Sequence, residues 1–353
     1  MKIFCLLLLL SAIPAARAAE APLQIPLSEA QQKLRGEFAS KVASAERKNA
    51  AASAEVDGWL FFAAEFRLLS LGRFWGDEAA KMSRSHKPEL ADPIPAIVDF
   101  QKQLKARGIE LLVVPVPPKA AIYPEKIVPG FDLRTEDPAP VLHRFYEELR
   151  AAGIDVLDLT PLFIQNRDDK RGSVFCKTDS HWSGLGCMLA AQAIVENARG
   201  TGMASALRRE YAVEWKESEI KGDLVSLLPR EQHPKSGPEK IAVRSVSEKG
   251  TAGAIQPDPN SPVLLLGDSH TLVFHDFLAE RAGLFDQLAQ ELGFAPDLIG
   301  TRGSGATPVR ISLYRRSLKD PGYLAKKKVV VWCFAAREFT EATEGWAKIP
   351  VAK

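Results

Sequence analysis

Two short polar motifs contain the residue types of an acyl-transfer site. One is a Gly-Asp-Ser tripeptide that ends at Ser269 and follows an unbroken Leu run, and the other is an Asp-Ser-His-Trp tetrapeptide that contains Asp179 and His181. Residues two apart in an extended segment point the same way, so Asp179 can hold one imidazole nitrogen of His181 and leave the other free. A serine hydroxyl is a weak nucleophile near neutral pH, and a base oriented in this way activates it. The pattern predicts Ser269 as nucleophile, His181 as base and Asp179 as orienting acid.

Each motif also has a structural interpretation. Asp and Ser are favoured at helix N-termini, so the tripeptide at Ser269 alone fits a helix cap as well as a nucleophile. If a helix begins near Thr271, as its pattern predicts, its N–H groups favour negative charge beside the serine. Asp179 and His181 also fit a buried hydrogen-bonded pair or two metal ligands. No further His or acid cluster accompanies them in the sequence, so no metal site and no cofactor are predicted.

The other histidines compete less well for the role of base. His270 adjoins the candidate nucleophile but is expected to point away from it, and His275 lies further along the same predicted helix. His143 is expected on a helix face without an acid in a suitable pattern. Only His181 is therefore predicted to have a local orienting partner.

Four further side chains are candidates for contact with substrate. Arg302 precedes Gly303 in a segment where glycine lets backbone N–H groups approach a ligand and arginine binds a carboxylate or steadies an oxyanion. Lys119 and Tyr123 follow the end of a predicted strand, and Trp182 can stack on a sugar ring. A surface turn at Arg302 and a core position for Trp182 are the structural alternatives.

These motifs adjoin segments that predict a parallel sheet. Unbroken Val and Leu runs alternate with helical patterns, which is typical of a sheet covered by helices on both faces. The predicted strands are residues 111–114, 155–157, 263–266 and 329–332, and the predicted helices lie near residues 94–107, 138–152, 184–198 and 270–294. We therefore predict an α/β fold with a doubly wound, mostly parallel sheet. Ligands bind beyond the carboxyl ends of such strands, where Ser269 and Arg302 are expected.

The N-terminal residues predict export. Lys2 is followed by an apolar run over residues 3–13 and by a small-x-small sequence that ends at Ala18, the pattern of a cleaved signal peptide. The run is shorter than the roughly 18 to 20 residues of a membrane span, which disfavours an uncleaved anchor. We expect a periplasmic protein from which residues 1–18 are removed. The 46 basic and 44 acidic residues nearly balance, and nothing indicates a nucleic-acid partner.

The rest of the chain is predicted to form one domain with two additions. Residues 19–54 have apolar side chains at four-residue spacing and are expected to form a lead-in helix capped by Ser28. Residues 55–345 are expected to form the catalytic domain. Within it, the polar and Pro- and Gly-rich residues 200–260 are predicted to be an insertion or cap with one strand-like segment at residues 241–243.

Three cysteines remain after the predicted cleavage: Cys176, Cys187 and Cys333. An exported protein meets an oxidising compartment, and the first two bracket the Asp-Ser-His-Trp segment, so a bridge between them would brace it. Three buried thiols are an equal alternative.

Taken together, the motifs resemble the alginate O-acetyltransferase family of periplasmic proteins, of the AlgJ and AlgX type. The resemblance covers about residues 55–340, and its most specific part is Asp-x-His-Trp before Gly-Asp-Ser. The other matching segments are Asp57-Gly58-Trp59-Leu60-Phe61, Pro115-Val116-Pro117-Pro118-Lys119, Ile122-Tyr123-Pro124, Gly222-Asp223-Leu224 and Val331-Trp332 to Arg337. The family implies an SGNH-hydrolase-like sheet. Ordinary SGNH hydrolases carry the serine first and Asp-x-x-His last, so this chain is expected to have a permuted motif order.

The resemblance implies acetyl transfer. Ser269 would take an acetyl group, His181 would act as base and then acid while Asp179 holds the imidazole, and a hydroxyl of an exopolysaccharide such as alginate would receive the acetyl. No motif for a soluble acetyl carrier is visible, so a membrane-bound O-acyltransferase is the expected donor. Arg302 loosely matches a position that, by the family resemblance, would contact the substrate or the oxyanion. No Asn-bearing oxyanion block is recognised, so that role falls by default to the N–H groups of Ser269 and Gly303.

Two other functions remain open from the sequence. A carbohydrate esterase would use the same three residues with water as the acceptor. A non-catalytic polysaccharide-binding or assembly subunit would keep the fold and need none of them. The triad also leaves open which polysaccharide is the acceptor.

Overall fold

Five parallel strands form the central sheet of the computed structural model, which describes residues 25–198, 208–233, 237–250 and 253–353. The strands in these residues are β1 (Ala52–Ala54), β2 (Leu60–Phe62), β3 (Glu110–Val116), β4 (Asp155–Val156), β5 (Tyr211–Ile220), β6 (Glu239–Glu248), β7 (Val263–Gly267), β8 (Asp297–Gly300) and β9 (Val329–Ala335). The central sheet has the order β4-β3-β9-β7-β8 with every neighbouring pair parallel. The predicted α/β fold with a mostly parallel sheet is confirmed.

Helices cover both faces of this sheet. In the described residues they are α1 (Glu29–Arg47), α2 (Ala63–Ser70), α3 (Ala79–Met82), α4 (Pro93–Lys105), α5 (Lys119–Ile122), α6 (Pro140–Ala151), α7 (Thr160–Asn166), α8 (Gly184–Asn197), α9 (Asp223–Ser226), α10 (Leu284–Leu292), α11 (Thr307–Lys319) and α12 (Glu338–Glu341). Most of the buried apolar residues of α1, α8 and α10 belong to one apolar core, and most of those of α4, α6 and α11 belong to a second.

Alternate residues of β9 enter these two cores. Val331 and Cys333 join the core that includes α8 and α10, whereas Val330, Trp332 and Phe334 join the core on the opposite face. Successive side chains of a strand point to opposite faces, so a strand covered on both faces must be apolar throughout. This requirement explains the unbroken apolar runs of the sequence.

The N-terminal helix packs into the first of these cores through Leu34 and Phe38. The Ser28 hydroxyl caps it by accepting a hydrogen bond of 3.1 Å from the Gln31 N–H. The helix ends at Arg47, and the segment that was expected to continue it to residue 54 forms β1, which pairs with β2. The predicted signal peptide lies outside the described residues. No helix in the described part of the chain is both long and apolar enough to cross a membrane.

A long antiparallel ribbon occupies much of the region that was expected to be an insertion or cap. β5 and β6 pair over ten residues each, whereas only residues 241–243 were expected to be strand-like. β6 packs against α8 and α10 with Val243 and Val246 fully buried. β5 is mostly exposed, although Tyr211, Val213 and Trp215 occupy alternate positions in its first half. This period-two pattern is a strand signal that the interpretation of the region as an insertion or cap did not use.

The helix expected near residues 270–294 is divided. Ser269–Thr271 forms a single 3₁₀ turn, and α10 begins only at Leu284. Between them Phe274 and Leu278 have positive φ values of 61° and 67°, which an α-helix does not allow. A three-residue turn has no sizeable macrodipole, so the expected effect of a helix N-terminus beside Ser269 is absent.

The three cysteines are free, buried thiols, and the suggested bridge between Cys176 and Cys187 is not formed. Burial raises the pKa of each of these thiols well above its ordinary value. They therefore act as small apolar residues of the core that also contains α8.

Candidate active site

Ser269 lies directly beyond β7, on a turn that Asp268 holds in place. The Asp268 carboxylate accepts hydrogen bonds from the His270 N–H at 2.9 Å and from the Ala335 N–H, at the end of β9, at 2.7 Å. Burial alone would raise the pKa of Asp268, but His270, the charge of Arg337 and the Ala335 N–H lower it to about 2. The ionised Asp268 therefore ties the turn to the neighbouring strand and leaves the Ser269 side chain partly exposed.

Glycine is needed at two close approaches around this turn. A Cβ on Gly267 would lie 1.8 Å from the carbonyl oxygen of Cys333, and one on Gly222 would lie 2.0 Å from that of Thr178. The first glycine lets β7 end close to β9. The second lets α9 approach the loop that contains the candidate base.

Asp179 and His181 lie in a tight loop between Phe175 and Trp182, which form an antiparallel bridge. One carboxylate oxygen of Asp179 accepts hydrogen bonds from the His181 N–H at 3.0 Å and from Nδ1 at 2.7 Å, and the other accepts from the Asp223 N–H at 2.9 Å. Burial opposes ionisation of Asp179, but these three contacts and the charge of His181 outweigh it and lower its pKa to about 2. Asp179 is thus a charged, fully engaged partner for the imidazole.

The three residues predicted from the sequence meet at this point. His181 Nε2 lies 2.8 Å from Ser269 Oγ. Because Nδ1 donates to Asp179, Nε2 is the nitrogen that accepts the serine proton. Asp179 and His181 are only 1% and 6% exposed, whereas Ser269 is accessible, so the hydroxyl is the part of the triad that a substrate reaches. The arrangement can generate a nucleophilic serine and return its proton to a leaving group.

Lys119 holds the loop that contains Asp179. It is fully buried, and its ammonium donates to the carbonyl oxygens of Leu60 at 2.7 Å, Cys176 at 2.9 Å and Asp179 at 2.7 Å. Burial lowers the pKa of Lys119, and the neighbouring Glu65 carboxylate opposes that effect. The expected contact between Lys119 and substrate is wrong, because the side chain ends inside the protein, where it binds the backbone of the loop.

Trp182 and Tyr123 are also core residues. Trp182 is completely buried, and its ring packs edge-on against His270 at 5.5 Å between centroids. Tyr123 is 2% exposed, and its hydroxyl donates to the Arg167 carbonyl oxygen and accepts from the Val174 N–H. Burial raises the pKa of Tyr123. Neither ring offers a surface to a sugar, so the expected substrate contacts of Trp182 and Tyr123 are corrected to packing.

Arg302 is exposed at the same edge of the sheet. Its guanidinium stacks 4.6 Å from the centroid of the Phe277 ring, and that ring packs edge-to-face against His181 at 5.6 Å. Gly303 is exposed with a φ of 116°, a conformation that favours glycine. Contact of Arg302 with substrate and of Gly303 with an oxyanion stay predictions. In the part of the chain that the structure describes, the Ser269 N–H has no hydrogen-bond acceptor, which suits its predicted oxyanion role.

Carboxylates also orient other histidines, so the prediction that only His181 has such a partner is wrong. His270 Nδ1 lies 3.1 Å from Asp268, and His275 Nδ1 lies 3.1 Å from both oxygens of Asp286. Burial lowers the pKa of His270, against the opposing charge of Asp268, so its ring is held neutral. As expected, His270 points into the core and not toward the serine hydroxyl.

Two acids that hold the loop of Asp179 and His181 were not predicted as site residues. Asp223 accepts hydrogen bonds from the Ser180 N–H at 2.7 Å and hydroxyl at 2.6 Å, and Glu239 accepts from the N–H groups of Lys177 and Thr178. Asp223 lay within a segment of the family resemblance, which was a usable signal. No pattern distinguished Glu239, because its partners are far away in the chain.

Asp179, His181 and Asp223 also bring potential metal-ligand atoms within 4.8 Å of one another, although no acid cluster beside the first two was expected. Both oxygens of Asp179 and both of Asp223 already accept hydrogen bonds from protein donors. This donor set fits a hydrogen-bonded support for the base better than a metal cage.

A serine beside an Asp–His pair, at the carboxyl end of a parallel sheet, is the arrangement of a serine enzyme of acyl transfer. Residues 54–335 match the family described as SGNH hydrolase-like domain, acetyltransferase AlgX, and the chain belongs to this family. The match confirms the resemblance inferred from the motifs. The protein is therefore an O-acyltransferase.

Individual relatives agree with this assignment. A probable alginate O-acetylase AlgJ of Pseudomonas aeruginosa is 29% identical over 300 residues, which cover 82% of this chain and 70% of that protein. The solved O-acetyltransferase domain of Pseudomonas putida AlgJ is similar with a TM-score of 0.61 and 23% identity, over 82% of this chain and 92% of that one. The solved Pseudomonas aeruginosa AlgX has a TM-score of 0.57 and 17% identity, over 80% of this chain and 62% of its own. The two structures support the fold.

Proposed function

We propose that this protein is a periplasmic O-acetyltransferase that acetylates hydroxyls of an exopolysaccharide through an acetyl-Ser269 intermediate. The observation that supports this mechanism is the unbroken hydrogen-bond chain from Asp179 through His181 to Ser269. The acceptor that we propose is alginate, because the named relatives are alginate O-acetylases. The proposed donor is a membrane-bound O-acyltransferase, and the predicted signal peptide would bring the chain to the same compartment.

In the first half-reaction the Ser269 oxygen attacks the carbonyl carbon of a donor acetyl ester. Its proton passes to His181 Nε2, and the ionised Asp179 stabilises the imidazolium that forms. The tetrahedral intermediate collapses when the bond between the carbonyl carbon and the donor oxygen breaks. The leaving alcohol takes the proton from His181, and the acetyl group remains as an ester on the serine.

In the second half-reaction a sugar hydroxyl attacks the acetyl-serine. His181 accepts the hydroxyl proton, and the bond between the carbonyl carbon and Ser269 Oγ breaks. The serine oxygen then takes the proton back from His181, which restores the free enzyme. In both halves the Ser269 N–H is the proposed donor to the transient oxyanion.

The proposal can be tested with purified protein and 4-nitrophenyl acetate as the donor. We expect a burst of nitrophenol, an acetyl group on the peptide that contains Ser269, and acetylated sugar when deacetylated alginate oligosaccharide is added. Cello-oligosaccharide serves as the comparison acceptor, and mass spectrometry measures both products. Free acetate alone would support the esterase alternative, and no burst at all would favour a non-catalytic subunit.

The proposed compartment has a separate test. The full-length chain expressed in a bacterium should appear in the periplasmic fraction with its N-terminus near residue 19. Recovery of the uncleaved chain in the membrane fraction would instead support the anchor.

A further inference from the structure

An aromatic ring covers one side of the catalytic histidine. The Phe277 ring packs edge-to-face on the His181 imidazole with centroids 5.6 Å apart and an angle of 75° between the planes. Phe277 itself is partly buried, and the contact helps to leave His181 only 6% exposed. None of the proposed reaction steps uses this ring.

The loop that contains Phe277 is tied to the core. The Phe274 N–H donates to the Phe277 carbonyl oxygen at 2.8 Å, and the Ala282 N–H donates to the Phe274 carbonyl oxygen at 2.9 Å. Phe274 is completely buried, although its φ is positive. A non-glycine residue keeps such a conformation only where its surroundings enforce it. The backbone that carries Phe277 is therefore held in place.

Arg302 lies over the same ring at the rim of the site. Its guanidinium carbon is 4.6 Å from the centroid of Phe277, and its Nη2 is 3.3 Å from Asp276. The side chain of Arg302 is 64% exposed, so much of it remains open to an incoming acceptor. The base is thus flanked by an apolar wall with a polar, exposed rim.

We propose that Phe277 selects the acceptor by disfavouring water beside His181, so that the acetyl-serine passes to a sugar hydroxyl more often than it is hydrolysed. The inference rests on the proposed acetyl transfer. A single water at the edge of a phenyl ring loses hydrogen bonds and has no compensating contact. A sugar makes further contacts at the rim, and this binding energy offsets the loss.

The test measures how the acetyl-enzyme partitions between its two acceptors. Wild-type protein, Phe277→Ala and Phe277→Leu are each given 4-nitrophenyl acetate and deacetylated alginate oligosaccharide. The nitrophenol burst reports acylation, and the ratio of free acetate to acetylated sugar reports partition. We expect Phe277→Ala to acylate within about threefold of wild type while the ratio rises about tenfold, equivalent to ~1.4 kcal/mol between the two barriers. Phe277→Leu keeps an apolar side chain and should fall between them.

Trp215→Ala is the matched control, because it removes an exposed aromatic ring from β5 and should leave the ratio unchanged. An unchanged ratio in a folded Phe277→Ala protein overturns the inference and leaves the transferase proposal standing. Loss of the nitrophenol burst in Phe277→Ala also overturns the inference, because the ring would then be needed to position His181 for acylation. A wild-type protein that acylates but never acetylates sugar contradicts the proposed function instead.

Discussion

The tripeptide Asp-Ser-His occurs at residues 179–181 and again at residues 268–270, with the same Asp–His hydrogen bonds and different surroundings. In each copy the Asp carboxylate accepts a hydrogen bond from the His backbone N–H, at 3.0 and 2.9 Å, and lies 2.7 or 3.1 Å from Nδ1. The tripeptide is therefore a unit in which a carboxylate orients an imidazole two residues later.

The two units differ in which residue faces the site. In the first, His181 Nε2 points to the substrate side, and the middle residue Ser180 is bound by Asp223. In the second, His270 is buried against Trp182, and the middle residue Ser269 is accessible. In the proposed mechanism one unit supplies the base and the other supplies the nucleophile. Local sequence sets the Asp–His geometry, and the surrounding structure sets its use.

The largest expected difference between the units concerns their middle serines. Ser269→Ala removes the nucleophile and should lower kcat by at least ~10³-fold. Ser180→Ala is its matched control, since it removes only a hydrogen bond to Asp223, worth about 1 kcal/mol, and should cost less than about tenfold. Steady-state acetylation of oligosaccharide measures both. Equal losses would mean that the two serines have equivalent roles and would contradict the assignment.

The two histidines should differ in activity more than in stability. His181→Gln removes the proposed base and should lower kcat by at least ~10³-fold. His270→Gln should have a smaller effect on kcat. Each substitution takes an imidazole donor from a buried carboxylate, Asp179 or Asp268, and should lower the free energy of unfolding by about 1 to 3 kcal/mol. Urea unfolding and initial rates measure the two quantities. The comparison fails if His270→Gln is the less active variant.

Two lysines near the first unit should have unequal effects. Lys119→Met removes the donor that is shared by the carbonyl groups of Leu60 in β2 and of Cys176 and Asp179 in the loop. A resulting shift of about 1 Å in Asp179 and His181 should lower kcat by up to ~10²-fold without changing KM. Lys177→Met changes a neighbouring lysine whose ammonium lies against Trp59, and should leave kcat within about twofold. Burst kinetics with 4-nitrophenyl acetate give the acylation rate. A rise in KM alone for Lys119→Met would restore the rejected interpretation of a substrate contact.

The smallest effect concerns acid stability, which both units share. The pKa values of Asp179 and Asp268 are lowered from 3.8 to about 2, so their stabilising contribution is present above about pH 4 and is lost as the pH falls through 2. For Asp268 the loss is roughly 2 kcal/mol. Asp268→Asn should be less stable than wild type near pH 5 and should show a shallower fall toward pH 2. Urea unfolding at each pH tests this, and parallel curves would contradict it.

Much of the fold and the triad could be predicted because their signals are local. Strands such as β7 and β9 are unbroken apolar runs, and Asp179 and His181 are two residues apart, so the geometry of each lies within a short segment. The prediction of a helix directly after Ser269 was wrong because it used only this local pattern. The helical pattern of residues 272–283 is overridden by contacts with the core, such as the burial of Phe274.

The role of Lys119 depended on distant residues. A lysine after a strand end fits an exposed substrate contact, and only the fold surrounds its ammonium with carbonyl groups from Leu60, Cys176 and Asp179. The same holds for the ring of Phe277 against His181. Contacts of this kind join segments that the sequence does not place side by side.

The amino-acid sequence by itself determined a parallel α/β sheet, the Asp–His unit that carries the proposed base and the serine that follows β7. Only the tertiary structure decided that His181 lies beside Ser269, that His270 is buried, that Lys119 binds the loop of Asp179 and that Phe277 packs on His181. The reason is that backbone conformation and hydrogen bonds between near neighbours are set within a few residues. Burial and long-range contact exist only once the whole sheet has formed.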